Sequence, residues 1–243
     1  MDGKPRLNVE EQNYYKQMKQ HLRKKDAEYI LSLSNVLNSR QTITRNLART
    51  KLFELQLEVP GFIVECGSYR GDGLGLFYQL SSVLEPTNFN RKILSFDTFT
   101  GFPSVSENDL KYEKVGDLFA DVDFEFLKTA FQINDYNRMV GHTPKVEFVV
   151  GDATETIPKF VQENPFLLVS LLYLDFDLYE PTKIALEFLL PLVPKGGVVA
   201  FDELAMKKWE GETVAFKEVL STNEIKLRRF SFEPYLSYFI VGD

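Results

Sequence analysis

The chain has 243 residues, 44% of them hydrophobic and 14% aromatic, which suffices for one well-packed α/β domain and leaves a second full domain cramped. Its formal charge of −7 argues against a nucleic-acid backbone as the main partner, and the single cysteine, Cys66, excludes an internal disulfide and points to a reducing compartment. No apolar run approaches the roughly 20 residues of a membrane span, and the opening MDGKPRLNVEEQ lacks the apolar core of a signal peptide, so the expected location is cytoplasmic.

Residues 9–57 contain no Gly or Pro. Apolar residues recur there at helical spacing, Ile30, Leu33 and Leu37, then Ile43 and Leu47, so the segment reads as helix until Pro60–Gly61 ends it. Ten Lys/Arg against five Asp/Glu in residues 1–50 make it basic, a solvated surface or an arm for an acidic or phosphorylated partner. Short apolar runs separated by helices follow. FIVECG (62–67) is the first expected strand, then a glycine-rich turn and the helix LGLFYQLSSVL; KILSFD (92–97) is the second strand. An acidic stretch, roughly 101–144, with a helical portion at FEFLKTAF, is long for a connection and reads as a lid or substrate loop.

VEFVVGD (146–152) is the third strand and IPKFVQE a short helix. FLLVSLLYLD (166–175) is the fourth, apolar enough to be buried on both faces. The helix PTKIALEFLLPLV has Pro181 in its first turn, GGVVAFDE (196–203) is the fifth strand, and GETVAFKEVL is another helix. KLRRFSF and YLSYFIVG, joined at Glu233-Pro234, read as an antiparallel hairpin. Strands alternating with helices give the fold class: α/β, Rossmann-like and doubly wound. The expected sheet has seven strands, mostly parallel, with a C-terminal antiparallel hairpin and helices at the N-terminus.

In such folds ligands sit at the carboxyl ends of the strands, near the switch in strand order. Gly67, Gly71 and Gly73 let a ligand approach the backbone, but the G-x-G-x-x-G register of dinucleotide folds is absent, which disfavours NAD. Glu65, two residues before Gly67, suits a cationic ligand; the competing reading is a tight turn with no ligand. Asp97, ending the second strand, is placed to accept ribose hydroxyls, and Asp152, after the third, to meet an adenine amino group. Helix capping is the plain alternative for either aspartate alone. Together with Ser68, Tyr69 and Arg70 in the turn, Thr98 and Ala153, they outline a site for an adenosine bearing a cationic centre, S-adenosylmethionine. Arg70 meets the cofactor carboxylate or pairs with a nearby acid.

The segments VECGSYRGDG, SFDTFTGFP, FVVGDATETIP, LLYLDFDLYEPT and PKGGVVAFDELAMKKWEGETVAFKE, spanning roughly 62–220, resemble the macrocin O-methyltransferase family of class I methyltransferases. The resemblance implies an enzyme that methylates sugar hydroxyls, with residues 1–60 as a helical cap and dimerisation segment, 61–243 as the methyltransferase domain and 101–144 as its acidic lid or substrate loop. It implies a homodimer acting on a small-molecule or glycan acceptor. It also implies magnesium or another divalent cation, held at Asp175, Asp202 and Glu203, where the family pattern has Asp rather than Glu in the last place. Because successive strand residues point to opposite faces, Asp202 and Glu203 reach one ion only if the chain turns at 202.

On that reading Asp175 contributes to the cofactor site, ligates the cation beside the acceptor hydroxyl and also serves as general base. Asp177 orders the turn into the next helix. His142 is an ordinary loop histidine and Cys66 a packing residue; Tyr179 and Trp209 are substrate walls or core. A phenolic or catechol acceptor is a neighbouring variant. A second reading takes Asp175 and Asp177 as the D-x-D of a metal-dependent glycosyltransferase, which leaves Glu65, Asp97 and Asp152 without a shared role. A third is a non-catalytic protein that keeps the fold for assembly.

Overall fold

The computed structural model describes residues 9–109 and 113–243. Residues 1–8 of the expected cap and 110–112 of the expected lid lie outside them. The chain divides into two compact units, with the boundary between Thr44 and Arg45. In the first unit the helical region expected over 9–57 forms separate helices, α1 (Val9–Leu22), α2 (Ala27–Ser32), α3 (Ser34–Leu37) and the start of α4 (Arg40–Leu55). The break before α2 has a local cause: Asp26 is its N-cap, accepting the Tyr29 N–H at 2.8 Å.

In the second unit a seven-stranded sheet is built from β1 (Phe62–Cys66), β2 (Ile93–Asp97), β3 (Val146–Val150), β4 (Val169–Leu174), β5 (Val198–Phe201), β6 (Arg228–Arg229) and β7 (Ser237–Ile240). The spatial order is β3-β2-β1-β4-β5-β7-β6, parallel except for β7 and β6. The fold class is the expected one. The closing hairpin is antiparallel as read, but its strands are shorter and the connection runs over 230–236. Glu233 accepts the Tyr235 N–H there, and the rings of Phe230 and Tyr238 stack with centroids 4.9 Å apart.

Alternation along the strands separates two apolar layers. Val64, Cys66, Leu94, Phe96, Leu172, Leu174, Val199 and Phe201 pack against α7 (Ala153–Glu163), α8 (Tyr179–Phe188) and α9 (Glu210–Val219). Ile63, Ile93, Leu171, Tyr173, Val198 and Ala200 pack against α4, α5 (Asp72–Leu84) and α6 (Phe124–Asp135). Two-residue spacing therefore puts Glu65 and Asp175 in line with Ile63, Leu171 and Tyr173, on the α4 side. The order of strands reverses between β1 and β4, so a crevice opens at their carboxyl ends. Among the described residues, no helix is long and apolar enough to cross a membrane.

At the opposite, amino ends of the strands the buried Arg91 ties the layers together. It donates to Glu85 at 2.9 Å, to Gln56 at 2.5 Å, to the carbonyls of Leu57, Val59 and Gly61, and to Ser170. Removing one member of a buried, hydrogen-bonded ion pair costs about 3–5 kcal/mol because its partner is left uncompensated. Arg91→Met is therefore expected to destabilise the fold by about that amount, lowering Tm in a thermal melt by roughly 2–4 °C per kcal/mol.

Candidate active site

The turn after β1 is held by its own polar groups. Gly67 donates to the Phe96 carbonyl at 2.9 Å and has φ 88°, and a Cβ there would strike the Asp175 carbonyl. Only glycine permits so close an approach of the β1 and β4 chains. Ser68 bridges the Glu65 carboxylate (2.9 Å) and the Ser95 hydroxyl (2.8 Å). Glu65 itself is buried, close under Gly73 and the Arg49 guanidinium. Burial pushes its carboxyl up to about 7, against the opposing pull of Arg49 and the Ser68 hydroxyl.

Asp97 closes the next side. Its Oδ2 accepts the Tyr69 N–H at 2.8 Å and its Oδ1 the Phe99 N–H at 2.6 Å, with Tyr69 and Phe99 both in the left-handed region. Burial raises its pKa and these backbone donors oppose the rise. Thr98 donates to the Gly101 carbonyl at 2.6 Å. After β3, Asp152 takes the capping alternative: its Oδ1 accepts from Thr154 N and Oγ1 at the start of α7, while Gly151 and Ala153 on either side line the cavity.

That cavity has a volume of about 260 Å³. Gly67, Tyr69, Asp97, Thr98 and Ala153 line it together with Asp175, Asp177 and Glu203. Glu65, Ser68, Arg70, Asp152 and Asp202 are not among the residues that line it. Arg70 donates from Nε to the Ala120 carbonyl at 2.6 Å. Of the two aromatic candidates, Trp209 lines the cavity, with the Lys208 ammonium 3.8 Å from its ring centroid. Tyr179 is instead bonded to Glu218 and Lys183. His142 is exposed in the turn before β3.

The acidic end is assembled by β4 and β5. Carboxylate oxygens of Asp175, Asp177 and Glu203 lie within 4.8 Å of one another. The chain does turn at 202: Asp202 N–H still bonds the Leu174 carbonyl, and Glu203 leaves the sheet. The Asp202 carboxylate is taken up otherwise, accepting from the Tyr173 hydroxyl and, at 2.7 Å, from Arg45. Asp177, expected to order the turn into α8, joins the cluster with φ 63°. The first N–H of α8, at Tyr179, is accepted by Asp109 from the acidic stretch. Burial, then the nearby Asp202, lifts Asp175 well above the carboxylate range; burial, then the Glu203 carboxyl beside it, does so for Asp177.

Two residues missing from the sequence reading complete the site. Arg45 reaches Asp202 and comes within 3.8 Å of Glu203, and Arg49 lies 3.4 Å from Asp175. Both belong to the basic segment, but they answer acids of their own chain. Their four-residue spacing, one face of a helix, was the available signal. The described part of the acidic stretch forms a wall: Gly101, Phe102, Pro103 and Leu118 line the cavity, and Phe102 pairs through its backbone with Gly116 and Asp117.

A family model described as Macrocin-O-methyltransferase (TylF) matches residues 9–227. The chain belongs to this family. As a TylF-family protein it is an O-methyltransferase, which sets aside the glycosyltransferase and non-catalytic readings. It is 34% identical to the solved calicheamicin methyltransferase CalS11, covering 100% of this chain and 99% of that one with a TM-score of 0.90. An apo structure of CalS11, a TDP-rhamnose 3'-O-methyltransferase, matches at 33% identity over 98% and 97% of the two chains, with a TM-score of 0.84. A curated relative from Streptomyces olivaceus is an 8-demethyl-8-(2,3-dimethoxy-alpha-L-rhamnosyl)-tetracenomycin-C 4'-O-methyltransferase. It is 30% identical over 155 residues, 61% of this chain and 54% of its own length, so the match spans about half of that relative.

The displaced pKa of Glu65 carries a pH signature. Its carboxyl titrates near 4.5 in the unfolded chain and at about 7 in the fold, so its contribution is most favourable below 4.5, declines as pH rises through 7, and is constant above. Glu65→Gln is expected to remove that decline from the stability curve, measured by urea unfolding at a series of pH values.

Proposed function

We propose that this protein transfers the methyl group of S-adenosylmethionine to a hydroxyl of a deoxyhexose carried on a nucleotide or glycoside, assisted by a divalent cation, with magnesium the expected ion. The observation that carries the reading is one cavity with two unlike ends: the glycine turn and Asp97 at one, converging carboxylates at the other. The sugar acceptor is supported by the activities of two relatives, which act on rhamnose-bearing molecules. Residues 1–60 are proposed to serve as cap and homodimer segment.

The residues fit a hard cation. Three carboxylates converge, and Glu203 Oε2 is buried with no hydrogen-bond partner among the described residues. Asp175 and Glu203 would hold the ion, with Asp202 the third acid implied by the family pattern and Asp177 the third that lies nearest. When bound, it would lower the pKa of the acceptor hydroxyl. The chain's own groups do the rest. Gly67 admits the cofactor to the backbone, and Asp97 retains lone pairs for ribose hydroxyls beyond those used by Tyr69 and Phe99. The acceptor oxygen bonds the methyl carbon as the carbon–sulfur bond breaks, and its proton passes to a carboxylate, Asp175, with Asp177 against the same cluster. Trp209 supplies an apolar wall for the sugar.

Calorimetric titration with S-adenosylmethionine is expected to show saturable binding that Asp97→Ala abolishes; no binding by the unaltered protein would sink the reading. With nucleotide-linked deoxyhexoses as acceptors, Asp175→Asn is expected to lower kcat by about 10²- to 10⁴-fold while cofactor affinity is kept, the range for losing a general base.

A further inference from the structure

The turn that delivers Glu203 to the cavity is not held by the sheet. Its hydrogen bonds come from the first turn of α9. The Glu203 N–H donates to Glu212 Oε1 at 3.2 Å, and the Ala205 N–H donates to Thr213 Oγ1 at 2.9 Å. Between them Ala205 takes a left-handed φ of 65°, and the Met206 N–H closes back on the Glu203 carbonyl. Such a conformation is strained for an alanine and persists only where the surroundings over-determine it. Glu212 is fully buried, and its second oxygen has no partner among the described residues. A buried carboxyl of this kind is a poor choice for packing alone. Gly211 beside it is also constrained, since a Cβ there would strike the Asp109 carboxylate and the Tyr179 amide, which keeps the start of α9 close to α8.

We infer that Glu212 and Thr213 are positioning residues: by holding the backbone of residues 203–205 they aim the Glu203 carboxylate at Asp175 and Asp177. The inference rests on the divalent-cation reading above. Outer groups that orient a metal ligand typically govern about 10- to 100-fold in metal affinity. The amide oxygen of Gln can replace Glu212 as acceptor for the Glu203 N–H, whereas Leu cannot; Val at 213 keeps the shape of Thr and loses the acceptor.

The test is calorimetric titration of the full chain, freed of metal by chelation and dialysis, with magnesium alone and separately with S-adenosylmethionine. Glu212→Leu is expected to weaken magnesium binding about 10- to 100-fold, Thr213→Val to weaken it less, and Glu212→Gln to keep it near the unaltered level, all with cofactor affinity unchanged. Should Glu212→Leu fail to fold, Thr213→Val with Glu212→Gln decides. Magnesium affinity unchanged in Glu212→Leu or Thr213→Val would overturn the inference alone. Equal losses in Glu212→Gln and Glu212→Leu would overturn it by making Glu212 act through its own charge. Cofactor affinity falling in parallel with magnesium affinity would overturn it as a general disturbance of the fold. No magnesium binding by the unaltered protein would sink the cation reading, and the inference with it.

Discussion

Everything at the carboxyl ends of the strands depends on how buried carboxylates are compensated. Five acids are gathered at the ends of β1, β4 and β5, with Glu65, Asp177 and Asp202 buried and Asp175 and Glu203 half-buried. Uncompensated, such a cluster would protonate or unfold the region. Arg45 and Arg49, one helical turn apart on α4, oppose it with two positive charges. They do so unequally: Asp202 receives both Arg45 and Tyr173, while Glu203 keeps a buried oxygen without a partner among the described residues. That imbalance gives the proposed cation its place.

The same compensation shapes the proposed cofactor end. Donors and acceptors of the glycine turn are satisfied internally, with Ser68 on Glu65 and Ser95, and Tyr69 and Phe99 on Asp97. The turn is thereby organised before anything binds, and less ordering remains to be done on association. Backbone strain is concentrated here as well. Tyr69, Phe99, Asp177 and Ala205 all have positive φ, and each stands at the end of a strand that contributes to the cavity or in the turn just after it.

The acidic stretch after β2 has a structural part alongside its place in the cavity wall. Asp109 caps α8 and abuts Gly211, and Glu113 lies 3.9 Å from the Lys208 ammonium, which itself covers Trp209. Net negative charge in this segment is therefore used to fasten the wall to α8 and α9 and is not merely solvated.

Much of this was legible in the residues alone. Alternation of apolar strands and helices dictated a doubly wound sheet, because a strand buried on both faces needs helices on both sides. Gly67, Gly71 and Gly73 marked the turn and helix start after β1, where 67 and 71 take positive φ and 73 lies in α5, and Asp97 and Asp175 marked strand ends, because a carboxylate there has no place in an apolar layer. What distance along the chain concealed, folding decided. Asp177, read as ordering the turn into α8, lies with Asp175 and Glu203, and the Tyr179 N–H at the start of α8 is accepted by Asp109, 70 residues away from Tyr179. Asp202 went to Arg45 and Tyr173, and Asp152 to Thr154. Composition and period determine which residues are buried and where strands end; which buried carboxylate meets which cation is settled only when separate elements pack, since each charge takes the nearest partner the fold provides.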